Sequence, residues 1–173
     1  MQKSHYIEVL ETGRMFASQK YCWETSLPLE AEGTLPITIC NNFFDMALLN
    51  WAHLFGNSND QLHYRKVVSN PESFKKRLLV KLAITEQEWE INWKNLKDFR
   101  DNRIAHIDKK FSVRVPELNI AALCISEYYS YAREELVACD PILKIYDETL
   151  SKFITKNSDY WKETIIKIYK CMQ

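Results

Sequence analysis

Arg100, Asp101, Asn102, Arg103 and His106 fall within seven positions of the stretch LKDFRDNRIAHID, residues 96–108. An unperturbed imidazole titrates at about pH 6.5, so His106 can exchange protons near neutrality. Arginines stay charged and present forked donors to phosphate oxygens. Asp101 and Asn102 can orient the ring or the guanidinium groups. These parts suit metal-independent cleavage of a phosphodiester. RNA carries its own nucleophile, the 2′-hydroxyl, so the protein need only move protons and stabilise charge on the phosphate oxygens. The same residues also describe a salt-linked helix end, with Asp98, Asp101 and Asp108 paired to the arginines and His106 beside the last carbonyls.

Spacing adds a constraint. His106 follows Asn102 by four residues and Arg103 by three, so these side chains share a neighbourhood on a helix. Arg100 is six residues back, about 120° around a straight α-helix. Three devices can bring the pair together: the reach of a long arginine, a loosened helix, or a second copy of the chain across a two-fold axis.

The surrounding elements read as helices. Among 173 residues there are 3 glycines and 5 prolines, while 46% are apolar. So few turn formers suit long helices and disfavour a many-stranded fold, and the length suits one domain spanning 1–173. The spacing predicts a first helix over 3–24, in which Gly13 permits a close helix contact. A second runs from Pro36 to about Phe55. Its apolar face is Ile37, Phe44, Leu48, Trp51 and Phe55, and His53 is expected in the core or at an interface. Residues 57–70 form a polar connection whose His63, Tyr64, Arg65 and Lys66 could touch phosphate. Asn70 and Pro71 open a third helix ending near Leu82, with Phe74, Leu78 and Leu82 inward. Thr85 and Glu88 make a capping box for a fourth, whose Trp89 and Trp93 read as core packing and which delivers the charged motif. A fifth is expected over 117–138, a sixth from Asp140-Pro141 to about Ile154, and a last one capped by Asn157-Ser158-Asp159. The expectation is an all-α bundle of about six or seven helices.

Charge is unevenly spread. Residues 65–114 hold thirteen basic and seven acidic side chains, while the rest of this formally neutral chain is acidic by the same margin. Such a basic middle can attract a polyanion. A DNA-binding reading has only the basic third helix behind it, with no helix-turn-helix signature. The histidines at 5, 53, 63 and 106 are dispersed, with no HExxH or ExxH spacing, so neither a metal nor another cofactor is expected. The 5 cysteines form no CxxC and read as reduced thiols of a reducing compartment. With no secretory leader and no run of eighteen apolar residues, a soluble cytoplasmic protein is expected.

Arg100-Asp101-Asn102-Arg103-Ile104-Ala105-His106 resembles the signature of HEPN-domain proteins: an arginine, a polar residue, and a histidine after four to six intervening positions. Arg100, Asp101 and His106 match those positions. RIAHID, together with WAHLFG at 51–56, is most similar to the abortive-infection branch of that family, and the resemblance covers about 34–155. It implies a bundle that dimerises, with Arg100 and His106 of both subunits lining a composite cleft and Asp101, Asn102 and Arg103 in support. The implied activity is metal-independent RNA cleavage to a 2′,3′-cyclic phosphate and a 5′-hydroxyl, in a toxin or phage-defence effector. An antitoxin or another defence-system protein is a further implied partner. Position 109 is Lys, so the tyrosine-modification switch of some members does not carry over. The alternative is a noncatalytic helical interaction module or a degenerate subunit of that type.

Overall fold

A computed structural model describes residues 3–27, 34–105, 115–139 and 149–171. Among them there is no strand, and the chain is an all-α bundle. Its α-helices are α1 (Lys3–Ser26), α2 (Thr34–Trp51), α3 (Tyr64–Val67), α4 (Pro71–Leu82), α5 (Glu86–Phe99), α6 (Asn119–Cys139) and α7 (Leu150–Lys170). Two π-helical turns, Ala52–Gly56 and Arg100–Ala105, extend α2 and α5.

One apolar cluster draws residues from all seven α-helices. In α1 the spacing holds: Tyr6, Val9, Leu10, Phe16 and Ala17 are buried. Gly13 faces α6, where an added Cβ would lie 3.2 Å from the Tyr129 ring and 3.5 Å from Ile125. Hydrogen at that position lets the two helices approach. In α2 the buried face is Cys40, Phe44, Ala47, Leu48 and Trp51. Ile37, expected on it, is 46% exposed.

Local signals set several boundaries. Asn70 accepts from the Ser73 amide and Pro71 occupies the first turn of α4, where its missing N–H costs nothing. Thr85 and Glu88 form the reciprocal capping box of α5. Helix α4 ends on Ala83 at φ 53°, in the left-handed region. There a Cβ crowds the following carbonyl and glycine does not. Ala83→Gly is therefore expected to stabilise the protein by about 1 kcal/mol, read as a higher urea midpoint at unchanged slope.

Two expected elements are corrected. The polar connection at 57–70 contains a helix of its own, Tyr64–Val67, capped by His63, whose Nδ1 accepts from the Arg65 amide. No helix starts at Asn157. Helix α7 runs through it from a Thr149 cap, and Asn157 and Ser158 bond back to the carbonyls of Phe153 and Thr155 at 2.7 and 2.9 Å. The expected start of a sixth helix at Asp140-Pro141 lies outside the described residues.

Candidate functional site

Helix α5 positions most of the site. Trp89, Leu96 and Phe99 are buried, and Phe99 meets Phe44 edge-on at 5.5 Å between centroids. That anchored face leaves Glu90, Trp93, Lys94, Lys97 and Asp101 along another stripe of the same helix, at spacings of three and four.

The expected motif starts where the helix changes winding. Arg100–Ala105 is π-helical, with i→i+5 hydrogen bonding that breaks the 3.6-residue register. The straight-helix angle between Arg100 and its neighbours therefore does not apply here. The Arg100 side chain is 18% exposed, and its Nε donates to Asp101 Oδ1 at 2.7 Å. Lys97 Nζ donates to the other oxygen, Oδ2, at 2.8 Å. Partial burial pushes the Asp101 carboxyl up, but hydrogen bonds from Lys97 and Arg100, with their charges, outweigh it and hold the group below its ordinary value. Asp101 thus stays ionised and fixes both cations. Asn102 Nδ2 donates to the Asp98 carbonyl at 2.8 Å, an intrahelical bond. The side chain of Arg103 and the whole of His106 lie outside the described residues.

Lys97 also lines a cleft of about 540 Å³. Trp89, Trp93, Tyr64 and the 55–58 segment form its walls, and Arg65, Lys75, Lys94, Lys97 and Glu90 bring charge to it. Lys75 is paired with Glu86 and Lys97 with Asp101. Among the described residues neither Arg65 nor Lys94 has a carboxylate partner. The lining is therefore a cationic edge over an aromatic wall.

The sequence put Arg65 in a polar connection that a phosphate contact or a plain surface loop explains equally well, and read Trp89 and Trp93 as core. Trp89 is indeed buried. Trp93 is only partly buried and lines the cleft. The missed signal is the stripe itself: 90, 93, 94, 97 and 101 repeat at one-face spacing, and two of its five members are lysines.

The back of the cleft is built on Phe55, the fourth residue of the first π turn. The Phe55 carbonyl accepts from Trp93 Nε1 at 2.7 Å and faces His63 Nε2 at 3.3 Å. Because Nδ1 accepts from the Arg65 amide, the proton belongs on Nε2, which donates to Phe55. This corrects the loop reading of His63 and the core reading of His53. His63, assigned to a polar loop, is 4% exposed, whereas the His53 side chain, expected in a core or at an interface, is 56% exposed and bonded to Asp60 at 2.6 Å. The π turn buries Ala52, Leu54, Phe55 and Gly56 and sends position 53 outward.

Burial lowers the His63 pKa, the Phe55 bond opposes that shift, and the Arg65 charge adds to it. The unfolded chain then binds the proton first as pH falls. The stabilisation is complete above about pH 6.5 and is lost as pH drops from there through the folded-state value. Urea midpoints between pH 8 and pH 5 should fall for the natural sequence, and by less for His63→Phe.

No family model, curated protein or solved structure matches this chain. Fold and site together define an all-α bundle with a basic, aromatic-walled cleft beside a π-wound arginine. No helix among the described residues is long and apolar enough to cross a membrane.

Proposed function

We propose that the chain is a metal-independent endoribonuclease of HEPN type, acting in the cytoplasm as a toxin or phage-defence effector. The observation that carries this reading is the continuity from Arg100 through Asp101 and Lys97 into the basic cleft. A scissile phosphate beside Arg100 then has strand-binding cations next to it. His106, assigned from its place in the motif, moves the proton. In the step, the 2′-oxygen bonds to phosphorus as its proton leaves to an imidazole, and the bond from phosphorus to the 5′-oxygen breaks. The 5′-oxygen takes a proton, and a 2′,3′-cyclic phosphate remains. Arg100 balances charge on the nonbridging oxygens, Asp101 fixes Arg100, and Asn102 and Arg103 support the turn. A homodimer supplies two imidazoles, one to accept and one to donate a proton.

Asp101 also favours the second reading. An arginine already paired with a carboxylate is what a noncatalytic interaction module or degenerate subunit needs for structure alone. Incubating the purified protein with single-stranded RNA in EDTA separates the two. Cyclic-phosphate ends are expected from the nuclease, and intact RNA identifies the module.

A further inference from the structure

The cleft between α3, α5 and the 55–58 segment has features that the cleavage chemistry does not use. Trp93 is held by its indole N–H on the Phe55 carbonyl, so its donor is spent and the ring contributes apolar surface at a fixed position. Lys94, its neighbour in sequence, is exposed. Arg65 is exposed on the facing short helix, its Nε on the Tyr64 hydroxyl at 3.2 Å. Both cations lack a carboxylate partner among the described residues. Glu90 opposes them in the lining, and its charge disfavours a run of phosphates crowded into the pocket.

We propose that this cleft is a subsite for one unpaired nucleotide, its phosphate between Arg65 and Lys94 and its base against Trp93. A volume of about 540 Å³ lies in the range of small-molecule pockets and admits one flipped-out nucleotide but not a duplex. Aromatic rings accept any base by stacking, and a flanking cation fixes the backbone. The shared chemistry is a nucleoside phosphate, from a strand of RNA or as a free mononucleotide. The assignment rests on the ribonuclease reading only for the choice of polymer, because binding requires no cleavage.

The test uses the full chain carrying His106→Ala, titrated in EDTA with a single-stranded RNA oligonucleotide, its duplex, and AMP, following tryptophan emission. Single strand is expected to quench emission and to bind better than duplex. Affinity should drop at least about tenfold in Lys94→Glu and in Arg65→Glu, in line with lost phosphate contacts. Lys152→Glu, an exposed charge reversal on α7, should leave it unchanged. Trp93→Phe should remove most of the quench while circular dichroism stays the same. Binding of AMP with the same Lys94 dependence assigns a free nucleotide as ligand, and binding of the strand alone assigns RNA. Absence of binding, preference for duplex, or affinity indifferent to both Lys94→Glu and Arg65→Glu overturns the subsite. Intact RNA in the cleavage assay with Lys94-dependent binding retained would overturn the nuclease reading alone.

Discussion

His106→Ala should lower RNA cleavage in EDTA by about 10²–10⁴-fold, the range for removing a general acid–base group. Arg100→Ala should cost a comparable amount, because the guanidinium is asked to stabilise charge that develops at phosphorus. The two variants differ in what they disturb. Asp101 is held below its ordinary pKa by Lys97 and Arg100, so removing Arg100 leaves the Lys97 pair intact and Asp101 still ionised. Arg100→Lys keeps a charge but loses the fork, and should recover only part of the rate. Mixing inactive Arg100→Ala with inactive His106→Ala under conditions of subunit exchange tests the assembly. If two-fold related chains share the cleft, heterodimers retain one arginine and one histidine in it; the remaining imidazole accepts the 2′-hydroxyl proton, solvent water protonates the 5′-oxygen, and part of the rate returns. Full cleavage by His106→Ala with unchanged circular dichroism would sink the nuclease assignment. No recovery on mixing would sink the composite site.

Much of the fold was legible because its signals are short-ranged. The Thr85–Glu88 capping box and the Asn70-Pro71 start involve side chains and amides within one turn, and both lie where the pattern puts them. The α1 face needed only helical spacing. Asn157 failed as a cap for a tertiary reason. Phe153 and Ile154 before it pack against the core, Ile165 and Tyr169 after it are buried, and Trp161 bridges Phe153 and Tyr21. One continuous apolar face outweighs the local preference of Asn, Ser and Asp to end a helix. The core reading of His53 weighed its aromatic neighbours in sequence above its position on the helix. An α-helical count sets His53 about 180° from the face of Phe44, Leu48, Trp51 and Phe55, and the π turn likewise leaves it in solvent. His63 looked like a loop residue because its reason for being inside, the Phe55 carbonyl, lies eight residues away. In the candidate site the charged motif was visible as a cluster of residue types. The links from Asp101 to Arg100 and Lys97 are local, one and four residues apart, whereas the cleft beyond them required α5, α3 and the 55–58 segment to be placed together.

Phe55 joins these levels, and Phe55→Ala is expected to cost about 3–5 kcal/mol of stability. Its side chain is 1% exposed and its ring contacts Tyr64, Trp89 and Tyr128 at centroid separations of 5.5, 5.8 and 5.7 Å. Truncation removes a large apolar group from three aromatic neighbours, and those neighbours come from α3, α5 and α6, so no single helix can shift to fill the void. A loss of that size is a large fraction of the ~5–15 kcal/mol typical of a folded domain. The substitution leaves the backbone carbonyl in place, so the bonds from Trp93 and His63 still have their acceptor. Trp93→Phe is the complementary change: it keeps an apolar ring but deletes one donor, leaving His63 to satisfy the carbonyl, and should cost only about 1 kcal/mol. Urea denaturation of both variants checks the ordering. A Phe55→Ala loss no larger than that of Trp93→Phe would mean that the carbonyl bonds, rather than the aromatic packing, hold the cleft wall to the core.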